Sequence, residues 1–170
     1  MSTRVIFKRG KPRLTPVTNT DVVKKLLELA TVKVGNGNRA VVVFFDLKCP
    51  FCARLFNETE DVLLEMARKG LVTYAMCDYV VHKDAEPLHK SLRCLNSDER
   101  LKFIKEVYNG KKVEAGACQA DDLKTCEELA ERVGVYGTPT ILIYDFAKNR
   151  GYIHFGYMTA AELLEALSAL

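Results

Sequence analysis

No run of eighteen apolar residues occurs anywhere in the 170-residue chain, which excludes a membrane-spanning helix of ordinary length. The first fifteen residues, MSTRVIFKRGKPRLT, contain no apolar core of a secretory signal. The expected location is therefore a disulfide-tolerant cytoplasm, of the hyperthermophile kind; the alternative is export with the signal already removed. Charge of one sign is scarce. A formal net charge of +3 gives no reason to expect nucleic acid or an anionic membrane as partner. The basic cluster Arg4, Lys8, Arg9, Lys11 and Arg13 reads as a solvated arm or strand. Histidine is rare as well: His82, His89 and His154 do not pair at ligand spacing, and only one C-x-x-C is present. A structural zinc site normally takes four ligands from two such pairs, so no metal is expected. Internal repeats and low-complexity segments are missing too. Glutamine occurs once, at Gln119, among many Lys and Glu, a weak lean toward thermophilic composition.

What is present is an ordinary globular balance, 48% apolar and 28% charged, with enough chain for one self-sufficient core. Residues 4–8 read as a short strand. Residues 19–37 read as a helix capped by Asn19 or Thr20, with Val23, Leu26, Leu27 and Ala30 on its apolar face. RAVVVFFDL (39–47) is a nearly continuous run of β-branched and aromatic residues, suited to a central strand covered on both faces. A helix follows the cysteines to Gly70, through Leu55, Phe56, Val62, Leu63 and Met66, and residues 71–81 form a second strand. From 84 to 134 the pattern is helical throughout, with Ser97 as one N-cap and Gly110 and Gly134 as stops. A strand–turn–strand hairpin and a last helix opened by a Thr159–Glu162 capping box complete the chain. A helix between two sequential strands implies a right-handed parallel crossover, while the short turn makes the last two strands antiparallel. The fold class is α/β, a mixed central sheet with helices on both faces. The expected organisation is an N-terminal arm and helix (1–36) and a main domain (37–170) with a helical insert at about 84–134.

The chemistry concentrates at FFDLKCPFC (44–52). Cys49 falls where a strand ends and a helix begins, and Pro50 suits the first helical position. The Cys49 sulfur then faces unpaired N–H groups and the positive end of the helix dipole, with Lys48 adding a positive charge. All three favour thiolate, the attacking species in disulfide exchange. Cys52 lies one turn in, more buried, positioned to resolve a mixed disulfide. A static disulfide across two residues would gain little chain entropy, so a redox dithiol is the preferred reading. Far away, GVYGTPT places Thr138 before Pro139 at a strand start. A cis Thr138–Pro139 bond would suit a tight bend there and leave backbone groups free for an extended substrate. Phe51 is a candidate contact for unfolded substrates or, equally, a residue that tunes the thiol environment; His82 and His89 read as surface or packed residues.

FFDLKCPFC together with VGVYGTPTILIYD resembles the thioredoxin superfamily, and more narrowly the catalytic domain of DsbC/DsbG-type disulfide isomerases. Asp46, three residues before Cys49, matches that family's pattern, as does a helical insertion before the cis-proline loop. So does SLRCLNSDERLKFIKEVYNGKKVEAGACQAD, which is similar to a segment carrying a structural disulfide in that family. The resemblance covers about residues 37–170. It implies a thioredoxin-like fold, a nucleophilic Cys49 resolved by Cys52, substrate contact at Thr138 and Pro139, and a Cys94–Cys118 bond. Such a bond closes a loop of about 25 residues, worth roughly 3.5 kcal/mol in the chain-entropy view. Two positions depart from the pattern. Residues 1–36 are too short for the isomerases' dimerisation domain, so a monomer or weak dimer is expected. The buried aspartate of thioredoxin itself corresponds to Val43.

The implied activity is thiol–disulfide exchange with protein thiols and disulfides, needing a redox-recycling partner protein and no cofactor. Oxidation, reduction and isomerisation all stay open. Two other classes fit the same motif: a redox-inactive binding module on this fold, and a glutathione-linked, glutaredoxin-like enzyme. Cys77 and Cys126 read as buried free thiols, with a bond between them as the alternative.

Overall fold

A computed structural model describes residues 14–170. The expected strand at 4–8 and the basic cluster from Arg4 to Arg13 lie outside the described residues. The elements are β1 (Thr15–Val17), α1 (Thr20–Leu29), β2 (Val32–Val34), β3 (Arg39–Phe45), α2 (Pro50–Arg68) and β4 (Thr73–Asp78). After a 3-10 turn at Lys83–Ala85 come α3 (Glu86–Arg93), α4 (Ser97–Tyr108), α5 (Asp122–Arg132), β5 (Thr140–Asp145), β6 (Arg150–Phe155) and α6 (Ala160–Ser168).

The six strands form one sheet in the order β1-β6-β5-β3-β4-β2. β3 sits inside it, parallel to β4 with Val43 opposite Met76, and antiparallel to β5 with Val43 opposite Ile141. The helix between β3 and β4 makes the expected crossover, and β5 and β6 form the expected antiparallel hairpin. Alternation along β3 divides the core in two. Val41, Val43 and Phe45 pack with Leu55, Phe56 and Leu63 of α2 and Leu163 of α6. Ala40, Val42 and Phe44 face the other way, onto Val22, Val23 and Leu26 of α1 and Cys126 and Ala130 of α5. A strand buried on both sides can be apolar at every position, which is why 39–45 reads as a continuous run.

Several boundaries differ from the sequence reading. The first helix ends at Leu29, and Val32–Val34 leaves it to become an edge strand on β4. Three residues do not establish a strand period, so VKV reads as a continuation of the helix. β1, TPV, is missed for the same reason. The second strand spans 73–78 rather than 71–81. The insert is not helical throughout, because residues 109–121 lie outside any helix. The N-cap of α4 is Asn96, with Ser97 already helical. Asn19 caps α1, its side chain accepting from Val22 N–H. Gly70 and Gly134 have φ of +76° and +101°, the left-handed conformation that ends α2 and α5 without a Cβ clash.

The capping box of α6 is complete: Glu162 N–H donates to Thr159 Oγ1, and Thr159 N–H donates to Glu162 Oε1. Thr159→Ala is expected to cost about 1 kcal/mol, lowering the melting temperature by about 2–4 °C in a chain of this size. An unchanged melting curve would show that the box contributes nothing.

Candidate active site

Strand β3 delivers the chain to a short turn, Asp46–Lys48, before α2 begins. Cys49 is the N-cap of α2 and Pro50 its first residue, where the missing N–H has no intrahelical partner to lose. The Cys49 side chain accepts from Cys52 N–H at 3.3 Å. Cys49 N–H donates to Asp46 O at 3.1 Å, which closes the turn. The Thr138–Pro139 bond is cis, and Cys49 Sγ lies 3.7 Å from the Thr138 carbonyl oxygen. The structure thus brings together Cys49, Cys52, Thr138 and Pro139, 89 residues apart along the chain.

The two thiols are unequal. Cys49 is drawn down to about 6, chiefly because the Cys52 thiol hydrogen-bonds to its sulfur, assisted by the N–H groups of Cys52 and Phe51 against the opposing effect of burial. A thiol of that acidity is about nine-tenths thiolate at pH 7. Cys52 is pushed well up, first by burial and then by sharing its proton with Cys49. Lys48 does not contribute as expected. Its ammonium pairs with Asp84 at 2.9 Å rather than facing Cys49.

Asp46 organises the turn. Its carboxylate accepts from Lys48 N–H (2.8 Å), Val81 N–H and His82 N–H (both 2.7 Å), and His82 Nδ1 lies 3.1 Å away. Burial alone would raise its pKa; the backbone donors outweigh that and hold it below the ordinary value. The residues missed from the sequence come from the insert. Tyr108, at the end of α4, donates its hydroxyl hydrogen to Asp46 O at 2.9 Å. His89, on α3, accepts Leu47 N–H at Nε2 (2.9 Å), so its hydrogen sits on Nδ1 and points to Asp78 at 2.6 Å. Two insert helices therefore grip consecutive residues of the turn before Cys49. His89 is packed, one of the two placements the sequence leaves open, and no sequence spacing shows its polar partners.

Large apolar side chains are exposed on the two segments that carry the site. Phe51 is 59% exposed, and Tyr136 is 71% exposed and stacked on Phe155 with ring centroids 4.8 Å apart. Gly137 lets that Phe155 ring lie against the loop, since a Cβ there would come within 2.5 Å of it. Of the other cysteines, Cys94 and Cys118 are bonded, with Cα atoms 6.6 Å apart. Cys77 and Cys126 are free and fully buried, and Cys77 is pushed far up by its contact with Cys126 and by burial. Among the described residues no group of three or more His, Cys, Asp or Glu is arranged to hold a metal ion, and no helix is long and apolar enough to cross a membrane.

A central β3 flanked by β4 and β5, a cysteine pair at the start of the following helix and a cis-proline beside it define a thioredoxin-like architecture. The chain belongs to the thioredoxin-like domain family, which it matches over residues 28–170. The thiol:disulfide interchange protein DsbC of Escherichia coli K12 is 26% identical over 163 residues, covering 89% of this chain and 61% of that protein. The chain thus spans between about half and three-fifths of the length of the curated relatives it matches. A disulfide interchange protein from Neisseria gonorrhoeae superposes with a TM-score of 0.63 at 28% identity, covering 84% of this chain and 96% of that one. DsbA2 of Pseudomonas aeruginosa gives 0.64 at 17% identity, covering 82% and 93%, a likeness of fold alone.

Proposed function

We propose that this chain is a thiol–disulfide oxidoreductase that exchanges disulfides with protein substrates through Cys49 and Cys52. The observation that carries the reading is the asymmetry of the pair: an acidified Cys49 at a helix N-terminus, 3.3 Å from the N–H of a buried, protonated Cys52. The Cys49 thiolate attacks one sulfur of a substrate disulfide. A Cys49–substrate bond forms, the substrate bond breaks, and the second substrate sulfur leaves with the electron pair. Cys52 then attacks Cys49, closing the Cys49–Cys52 disulfide and releasing the reduced substrate. A redox-recycling partner protein returns the pair to its starting state. Thr138 and Pro139 support the cystine segment of the substrate, and exposed Phe51 and Tyr136 offer apolar contact to an unfolded one. The finer reading is isomerase activity of the DsbC kind, which the interchange-protein relatives favour. The relatives lend no support to the cytoplasmic placement expected from the sequence, and the exported alternative stands beside it.

Cys52→Ser tests the order of events. That variant is expected to accumulate mixed disulfides through Cys49 when challenged with scrambled ribonuclease, seen as reductant-sensitive adducts in intact mass spectra. A spectrum holding only the free-thiol species would overturn the assignment of Cys49 as the attacking sulfur.

A further inference from the structure

A disulfide brought to Cys49 carries with it the chain on either side of the substrate cysteine. The Thr138 carbonyl oxygen lies 3.7 Å from Cys49 Sγ, so that chain runs beside residues 136–138. An extended segment advances about 3.3 Å per residue and turns alternate side chains to one face. A substrate residue two places from its cysteine therefore falls beside Tyr136, two places before Thr138. Tyr136 is 71% exposed yet stacked on Phe155, itself 46% exposed, with ring centroids 4.8 Å apart and planes inclined by 26°.

We propose that the Tyr136–Phe155 stack is a specificity subsite: it takes one large apolar side chain, two residues from the reactive cysteine of an extended, unfolded protein segment. This deepens the redox reading above and rests on it. Three observations fix the occupant. A cavity of about 230 Å³ lies between Thr15, Tyr136, Ile153, His154 and Phe155. That is below the roughly 300–1,000 Å³ of sites that enclose a whole small molecule, and suits a single side chain. Among the described residues, its lining holds no carboxylate, lysine or arginine, so an ionised side chain would lose water there without a permanent opposite charge. Finally, Tyr136 to Pro139 are consecutive, so one loop serves both the cavity and the reacting sulfur, and one substrate segment reaches both.

The subsite is in place before substrate arrives. Phe155 pairs with Thr140 in the β5–β6 ladder, and Gly156 N–H donates to Pro139 O at 2.7 Å, which ties the end of β6 to the cis-proline. Thr140 Oγ1 donates to Gly137 O at 2.8 Å and fixes the loop from the other side. A Cβ on Gly137 would come within 2.5 Å of the Phe155 ring, so the bare backbone between Tyr136 and Thr138 is what lets the ring lie there. An aromatic platform held this way loses little freedom when a side chain packs on it, so contact converts more fully into binding. Backbone pairing beside Thr138 is indifferent to substrate sequence. The stack supplies the selection, as pockets for alternate side chains do wherever a strand is added to a protein edge.

The probe is a short serine–glycine peptide whose single cysteine is bonded to thionitrobenzoate, with Phe, Leu or Ser at both positions two residues from that cysteine. Cys49 attacks the peptide sulfur, the Cys49–peptide bond forms, and coloured thionitrobenzoate leaves with the electron pair. Below saturation, the rate constants for the Phe and Leu peptides are expected to exceed that for the Ser peptide by about tenfold or more, the scale of discrimination one apolar side chain gives. In Tyr136→Ser the Phe-to-Ser ratio is expected to fall to about twofold or less, because most of the apolar contact area is gone. In Tyr136→Phe it should stay near the wild-type value, since the ring and not the hydroxyl forms the platform. A wild-type ratio near one overturns the proposal without any variant, and a ratio that survives Tyr136→Ser overturns it as well. A stack that instead joins two copies of the chain would give a mass rising with concentration and no peptide preference, which also overturns it. Cys49→Ser with the Phe peptide separates the two readings. If it releases thionitrobenzoate like the wild type, the redox assignment fails and the subsite with it; if it is silent while the wild type shows no preference, only the subsite fails.

Discussion

Cys49→Ser is expected to bring insulin reduction and scrambled-ribonuclease reactivation down to the uncatalysed background, with the fold intact. The fold survives because the position is an N-cap. Cys49 Sγ accepts Cys52 N–H at 3.3 Å, and serine is among the preferred residues for that bond. The melting temperature is therefore expected to stay within a few degrees. Chemistry is lost because a serine hydroxyl carries almost no anion at neutral pH, whereas Cys49, drawn to about 6 mainly by the Cys52 thiol, is mostly thiolate. The wild-type attack rate should fall about tenfold per pH unit below about pH 6 and level off above it, following the thiolate fraction. A stabilised thiolate also favours the dithiol over the disulfide, which makes the Cys49–Cys52 disulfide more oxidising than one formed from ordinary thiols. Full turnover in the serine variant, or a rate profile with its midpoint near that of free cysteine, would sink the mechanism.

The part of the site legible in the sequence is the part built from local rules. Pro50 at the first helical position makes Cys49 a cap, and Pro139 sits just before a strand. Both facts follow from what proline does to its own backbone. β3 is legible because a strand covered on both faces is apolar throughout. What was not legible depends on residues meeting from distant elements. Asp78, His89 and Arg93 stand on β4 and α3, and Tyr108 stands on the last turn of α4. No spacing announces that its hydroxyl ends 2.9 Å from Asp46 O. The edge strands β1 and β2 were missed because three residues carry no usable period. Residues 109–121 read as helix in the sequence, although they hold Cys118, whose bond to Cys94 at the end of α3 ties a non-helical segment across the insert. Lys48 shows the opposite error. Sequence order sets its charge beside Cys49, and the fold pairs it with Asp84 instead.

The largest expected loss of stability comes from the buried cluster behind this turn. Asp78 is fully buried at the end of β4. Its carboxylate accepts from Arg93 Nε (2.9 Å), from His89 Nδ1 (2.6 Å) and from Thr31 Oγ1. Arg93 Nη2 sits 2.9 Å from the same Asp78 oxygen without being aligned to donate to it, and Nη1 reaches Asp122 on α5 at 2.8 Å. The cluster ties β4, α3 and α5 together and, through His89, holds Leu47 two residues before Cys49. Arg93→Met removes the cation and leaves the buried carboxylate under-compensated, which is expected to cost about 3–5 kcal/mol, or about 10 °C in melting temperature. Adding Asp78→Asn should recover part of that, because the remaining buried group is then neutral. The pH dependence has a definite sign. Burial alone would raise the Asp78 pKa, but the hydrogen bond from His89 and the charge of Arg93 hold it below the ordinary carboxyl value. Its contribution to stability is therefore present above the unfolded pKa near 3.8 and is lost as pH falls through the lower folded value. Without Arg93 the folded pKa rises, so the acid limb of the stability curve should move to higher pH. Urea unfolding of both variants across the acid range checks this, and an acid limb that stays in place after Arg93→Met would show that Asp78 draws its charge compensation from elsewhere.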